Sequence, residues 1–420
     1  MHKTIFTTGR LGRGILSLAV ASAIQLVGFA ALDIPSDGSD GDLVVDTDTV
    51  IDLGLAQSGA WDTDNSAHAG KGIYDPEKWA VVFKYASVTI NGGATLTFKN
   101  HSSRAPVVWL VSGDVTINGV VSLSGQSWLP WPGLAEPGPG GFRGGSAYGS
   151  AGFGPGGGVM PFWTSGHHSG SPGSHGLPGS GVSGAVYGNP SLLPLIGGSG
   201  GGGQNETNYN NGGGAGGGAI LIAAGGTILI NGSLHANGGS GATEYYDSNL
   251  HYTVYSNSGG GSGGAIRLLA ESLAGSGRLS AGGGAGSGGA GRVRLERTHY
   301  LSEAGELIIS PDPSVVTLTE GDTPLIWLPS DGPSVKVIAV NEQTPPPDPR
   351  AQFGAHGADV TLPQTSTIQV VVETTNVEDA SIVKVRCKPQ MRGAYEERTA
   401  TVQEVINEDP LTIHWVPKFR

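Results

Sequence analysis

One cysteine, Cys387, stands in a chain of 420 residues. No disulfide can form within the chain, so stability has to come from backbone hydrogen bonds and packing. Charge is also scarce, with Asp, Glu, Lys and Arg at 14%. What charge there is runs acidic, at a net of −12, and this excludes the basic face that nucleic acid binding needs. Phosphate loops, nucleophile elbows and zinc-type His/Cys spacings are absent. The glycine runs lack the Lys-Ser/Thr of a phosphate loop and open no helix.

Glycine is what the chain has in abundance, at 73 residues, without the strict every-third-residue register of collagen. The organising stretch is Gly216 to Glu296, where one pattern recurs. Ala219-Ile220-Leu221-Ile222, Thr227-Ile228-Leu229-Ile230-Asn231-Gly232 and Ser233-Leu234-His235-Ala236 form the first copy. Ala265-Ile266-Arg267-Leu268 and Gly277-Arg278-Leu279-Ser280 form the second, and Gly291-Arg292-Val293-Arg294-Leu295-Glu296 begins a third. Apolar residues at alternate positions belong to strands. Runs this short have to stack on neighbouring copies to bury their apolar face. The expected fold is all-β: a parallel β-solenoid over residues 31–309, with no crossover helices that would suit a doubly wound sheet. Earlier coils are expected at Leu43–Leu53, Ala80–Phe98 and Val107–Gly125. The recurrent Ile-Asn-Gly at Ile90, Ile117 and Ile230 marks one corner of successive coils, where Asn and Gly tolerate a left-handed backbone.

Two insertions interrupt the coils, at 126–216 and 241–264. Both are rich in glycine and aromatics and poor in charge. Glycine runs can be flexible linkers, or extended polyproline-II-like strands that pack closely and hydrogen-bond on several sides. The packed reading is preferred, because the runs lead straight into coil strands. Beyond Ser310 the glycine-rich text ends. Residues 310–333 are expected to be a linker and 334–420 an immunoglobulin-like β-sandwich of short strands, whose last strand is in question. Val383, Val385 and Cys387 alternate with charged residues, which makes Cys387 a core residue rather than a nucleophile.

The N-terminus reads as a secretory signal. Lys3, Arg10 and Arg13 precede an apolar run from Ile15 to Leu32, with a small-x-small cleavage site at Gly28-Phe29-Ala30 and another at Ala21-Ser22-Ala23. Residues 1–30 are expected to be removed, leaving a secreted, extracellular or cell-surface chain without a membrane span. The alternative is an uncleaved anchor, since the run approaches the roughly 20 residues a span needs.

Several phrases carry a resemblance: GIYDPEKWAVVFKY at Gly72–Tyr85, VVWLVSGDVTINGVVSLSGQ at Val107–Gln126, EPGPGGFRGG at Glu136–Gly145 and GGGSGGAIRLLA at Gly259–Ala270. They resemble large glycine-rich secreted proteins of environmental bacteria. More distantly, the coils are similar to the pectin-lyase-like β-helix, and the glycine blocks to those at phage tail-fibre adhesin tips. The resemblance implies a surface or extracellular solenoid and supplies no catalytic residues.

Candidate sites are few. Asp37, Asp40 and Asp42 alternate before the first coil and are calcium candidates, because hard oxygen ligands suit that ion. Their spacing does not match a helix–loop–helix calcium loop, and a solvated acidic cap is the preferred reading. No other cofactor is expected. His167, His168 and His175 are weak metal candidates without nearby carboxylates. Asp114, Glu271, Arg267 and Arg278 are the charged residues in coils, and no acid/base pair of the kind solenoid hydrolases use is evident. Trp128, Trp131, Tyr148 and Trp163 are candidates to stack on sugar rings or docking surfaces, against the alternative that they pack on the glycine strands. The preferred function is therefore a non-enzymatic surface or adhesion protein that binds polysaccharide or a surface through its insertions. A polysaccharide lyase or hydrolase on the same scaffold, and a self-associating structural matrix protein, remain the alternatives.

Overall fold

The alternating runs pair into parallel ladders, one copy above the next. A computed structural model describes the chain from residue 32 onward, except residues 131, 148, 160–168, 182, 205–210, 243–244, 248–251, 255–257, 286, 302–304, 320–321, 323, 346–359, 361–367, 388–395, 403–410 and 416–420. The expected signal segment, residues 1–30, lies outside the described residues. The protein is all-β: helix among the described residues is limited to the 3-10 turns Leu53–Leu55 and Ser66–His68. No helix among the described residues is long and apolar enough to cross a membrane.

Before the first glycine block come β1 (Gly41–Val45), β2 (Thr49–Asp52), β3 (Gln57–Ser58), β4 (Ile73–Asp75), β5 (Ala80–Ile90), β6 (Thr95–Lys99), β7 (Val107–Val111), β8 (Val115–Ile117) and β9 (Val120–Ser122). After it come β10 (Ala219–Ile230) and β11 (Ser233–His235). The second block contains an antiparallel hairpin, β12 (Tyr245–Asp247) with β13 (Tyr252–Val254). Then follow β14 (Ala265–Ala274), β15 (Arg278–Ser280), β16 (Arg292–Leu301), β17 (Ile308–Ser310) and β18 (Ser314–Thr317). A 10-stranded sheet has the order β18-β16-β14-β10-β7-β5-β4-β3, with β1 on β5 and β8 between β5 and β10; a 6-stranded sheet runs β17-β15-β11-β9-β6-β2. Every pairing in these sheets is parallel except β4 on β5. The stretch expected as a linker thus carries β18, which pairs with β16.

The copies stack in register. Ala219 pairs with Ala265, and Ala265 with Arg292. The inward positions form ladders such as Phe83–Trp109–Ile222–Leu268–Leu295. These meet Leu96, Val121, Leu234 and Leu279 of the smaller sheet in one buried cluster. Runs expected to be separate, 219–222 and 227–230, are one strand, because pairing with β14 continues across an irregularity between Ala224 and Thr227.

Ile90, Ile117 and Ile230 also align, each as the last residue of its strand and each followed by Asn-Gly. The physical reason for this recurrence differs from the expected one. Asn91, Asn118 and Asn231 are absent from the residues with left-handed backbone. They stack instead: Asn231 Nδ2 donates to Asn118 Oδ1 at 3.0 Å, and Asn91 Nδ2 to Asp46 Oδ1 at 2.6 Å. Glycine is needed after them for close approach, since a methyl group on Gly232 would overlap the carbonyl oxygen of Gly119.

The larger sheet is buried on both faces, unlike the one-sided alternation read from the copies. Val82, Val108, Leu110, Leu221 and Leu269 point away from the main core and are covered by Ile34, Leu318 and Ile326. Near-continuous apolar text such as Val107–Val111 reflects this double burial.

The glycine blocks are packed, not loose. Segment 212–219 donates in three directions that repeat every third residue. Gly212, Ala215 and Gly218 donate to the carbonyls of Leu129, Gln126 and Leu123; Gly213, Gly216 and Ala219 to those of Gly145, Phe142 and Pro139; Gly214 and Gly217 to those of Gly259 and Ser262. These bonds span 2.6 to 3.0 Å. A three-residue period is that of the polyproline-II helix, whose groups point outward at successive thirds of a turn. The neighbours do the same: Gly198 and Gly201 donate to Gly217 and Gly214, while Gly259 and Ser262 donate to Gly202 and Ser199. Side chains are excluded by distance, because a methyl group on Gly216 would overlap Gly198 O and one on Gly264 would overlap Gly218 O.

Past residue 333, antiparallel strands take over. β19 (Ser334–Val340), β20 (Ile368–Thr375) and β23 (Leu411–Trp415) form one sheet, and β21 (Ile382–Cys387) and β22 (Glu396–Thr401) another. Val370 and Val372 of the first meet Val383 and Val402 in a small core. The Cys387 side chain lies outside the described residues.

Replacing Gly216 by Ala is expected to cost about 3 kcal/mol, the upper end for overpacking, whereas Gly282→Ala, whose methyl group meets Asn237 Oδ1 at 3.5 Å and Ser280 Oγ at 4.0 Å in ordinary contact, is expected to stay within about 0.5 kcal/mol. Denaturant titration of the two variants, with amide exchange showing Gly212–Gly218 protected in the wild type, checks the packing.

Candidate functional site

The acidic stretch before β1 is spent on holding the chain together. Asp40 is 5% exposed. Its Oδ1 accepts from Asn65 Nδ2 at 2.6 Å and from the backbone of Gly70 at 2.9 Å and Gly72 at 3.3 Å, and its Oδ2 accepts from the Lys84 backbone at 2.7 Å. Asp37 pairs with Lys84 Nζ at 2.7 Å. Partial burial pushes the Asp37 pKa up, but hydrogen bonds from Lys84 and Ser39 outweigh it and hold the carboxyl below its usual value. Asp42 accepts from the Ser87 hydroxyl at 2.7 Å. Of the calcium candidates, Asp37 and Asp40 therefore hold Lys84 by its ammonium and its backbone and Asp42 holds Ser87, and no group of three or more His, Cys, Asp or Glu able to hold a metal is assembled among the described residues.

Of the charges in the repeats, Arg278 is exposed, and the others face groups within the fold. Asp114 Oδ1 caps the corner by accepting from the Thr227 backbone at 2.7 Å. Glu271 is 3.6 Å from His299 Nε2. Arg267 meets Glu296 at 2.7 Å, and Arg294 reaches the same Oε1 at 2.6 Å. Glu296 and Arg294 were not among the residues singled out from sequence. Aligning the second and third copies would have placed Arg267 beside Arg294, as the β14–β16 register does.

Of the aromatic candidates, Trp128 is half-buried, and its backbone N–H donates to Ser240 O at 2.8 Å. Trp131, Tyr148 and Trp163 lie outside the described residues. Phe142, by contrast, is buried at 6% exposure within the glycine strands.

Outward positions of the smaller sheet line up as a polar ladder, Thr97–Ser122–His235–Ser280–Ser310. Asn237 Oδ1 extends it, accepting from Ser280 Oγ at 2.7 Å and the Gly282 backbone at 2.8 Å. Burial, then the nearby Arg278, lowers the His235 pKa. At the β6–β9 end of the ladder lies a groove of about 520 Å³, lined by Lys99, His101, Arg104, Ser122, Gln126 and Glu136 among others. Arg104 and Arg143 both hold the Glu136 carboxylate. The groove is lined by hydroxyls, an imidazole, the Gln126 amide, whose oxygen accepts from the Glu136 backbone, the Lys99 ammonium, which pairs with Asp52 at 2.7 Å, and the paired Glu136 carboxylate. Such a set can hydrogen-bond a polyhydroxylated chain along its length.

Of the histidines considered for metal, His167 and His168 lie outside the described residues. His175 is 1% exposed and stacks on Tyr187 with ring centroids 4.7 Å apart. Burial lowers its pKa to about 4, against the opposing hydrogen bonds to Gly263 and Gly264. The neutral ring donates from Nδ1 to Gly263 O at 2.9 Å.

The chain matches no protein-family model, no curated protein and no solved structure.

His175 makes the glycine strands acid-sensitive. Its folded pKa, about 4, lies below the usual 6.5 or so of an unfolded histidine. The unfolded chain therefore binds the proton first, so stability present above pH 6.5 falls as pH drops towards 4, by about 3 kcal/mol from this group alone. Denaturant midpoints measured between pH 7.5 and 4 are expected to fall, and to fall less in His175→Gln.

Proposed function

We propose that this is a non-enzymatic, secreted surface protein that adheres to polysaccharide, in which the two parallel sheets are the walls of a β-solenoid and the C-terminal strands an immunoglobulin-like sandwich. The observation that carries the binding role is the groove of about 520 Å³ at the end of the polar ladder. One edge of its wall is the paired strands β6 and β9, and Arg104 and Arg143 fix the Glu136 carboxylate on the other. Rigid presentation of polar groups lowers the entropy lost on binding a flexible chain. In support of the solenoid reading, strand pairs stay in register from layer to layer in both sheets. In support of a non-catalytic role, Asp114 and Glu296 are each held by a structural partner. Secretion rests on the N-terminal sequence alone.

Binding of the mature protein to an array of neutral and acidic polysaccharides, with a parallel screen for their turnover, tests this reading. Retention of at least one polymer is expected, weakened roughly tenfold, about 1.4 kcal/mol, by Lys99→Ala combined with His101→Ala. Turnover that disappears in Asp114→Asn or Glu271→Gln would make the protein an enzyme. Absence of binding together with concentration-dependent filaments would make it a matrix protein. Loss of binding on Trp128→Ala alone, with the groove variants unaffected, would move the interface to the first insertion.

A further inference from the structure

The outward face of the larger sheet holds a second cavity, of about 300 Å³, on the side away from the polar ladder. Leu192, Pro194, Leu195, Leu221 and Ile326 make its walls predominantly apolar, and Arg267 and Trp327 also line it. Glu77 and Lys78, opposite in charge and both exposed, are further lining residues.

Arg267 is 2% exposed. Its Nε donates to Glu296 at 2.7 Å and its Nη2 to Leu325 O at 2.5 Å. Its Nη1 has no hydrogen-bond partner among the described residues, and neither does Trp327 Nε1. The charge count is also unbalanced. Arg267 and Arg294 share one oxygen of one carboxylate, Glu296, so two cations face one anion and a positive charge is left over. Arg294 is partly exposed, so solvent screens part of that surplus, but a buried donor without an acceptor is costly. A single carboxylate answers both, with one negative charge and two acceptor oxygens for two donors. The apolar walls then require an apolar body attached to it.

We propose that this cavity binds a small carboxylic acid with an apolar body, its carboxylate accepting from Arg267 Nη1 and Trp327 Nε1. Both nitrogens are shielded from solvent, so the ligand reaches them by an outward shift of segment 325–328. That segment has the exposed residues Leu325 and Leu328 on it, and Trp327 contacts Trp61 at 5.6 Å between ring centroids. The site is separate from the polysaccharide groove, and either can fail without the other.

Calorimetric titration of the mature protein with octanoate, and with octan-1-ol as its uncharged analogue, tests the proposal. Octanoate is expected to bind at least tenfold more tightly than the alcohol. Arg267→Met is expected to reduce octanoate affinity to that of the alcohol while leaving Glu296 paired with Arg294. Trp327→Phe, which keeps the ring and removes the donor, is expected to weaken octanoate about threefold at an unchanged thermal midpoint. Leu195→Trp, which fills the cavity, is expected to abolish binding. Equal affinity for acid and alcohol overturns the proposal, as does absence of octanoate binding. If Arg267→Met does not fold, the other two variants decide, and octanoate affinity unchanged in both overturns it.

Discussion

The structure depends on backbone approaching backbone with nothing in between. In the glycine blocks each extended segment gives its N–H groups to different neighbours in turn, and carbonyls of several segments converge on it. This is possible only where no methyl group stands between the chains. Ordering glycine is entropically the most expensive choice of residue. The cost is offset by the hydrogen bonds these main-chain groups make with one another. The absence of a disulfide fits the same picture. Three of these segments run directly into β10, β14 and β16, so the lattice and the sheets are one continuous hydrogen-bonded body.

That continuity leaves the larger sheet with two apolar faces and few places for charge. One face closes on the smaller sheet and the other is covered by the segments that carry Ile34 and Leu318–Ile326. Charges that fall on the covered face are held by specific partners, Lys84 by Asp37 and Arg267 by Glu296. The smaller sheet, in contrast, turns a row of hydroxyl, imidazole and amide groups outward. The fold thus separates a greasy side with buried ions from a wet side with a groove, and the two proposed ligand chemistries follow that separation.

Much of this was legible in the residues. Ala219 and Ala265 open the first two copies as text and are paired as strands, because a period of two and a fixed turn leave little freedom in register. Packing of the glycine runs was legible from their direct entry into strands. Other features were not. Cover of the second face of the sheet comes from Ile34 and Ile326, hundreds of residues apart, and no local pattern announces it. Glu296 was passed over because its two arginines sit in different copies or at short range on one strand, and only the register brings them to one oxygen. The corner glycines were read as left-handed, whereas Gly119 and Gly232 are there to let carbonyls come close.

The three-residue rhythm of the glycine segments carries a consequence for how such a protein can change in length. In an ordinary surface loop, one residue more or less is absorbed by slack. Here a single insertion would rotate every following N–H by a third of a turn and aim it at the wrong neighbour. Whole triplets would keep the aim, each adding about 9 Å at the polyproline-II rise. Growth and shrinkage of these blocks across related chains should therefore be counted in triplets, a reading frame written in the hydrogen bonds and not in the codons.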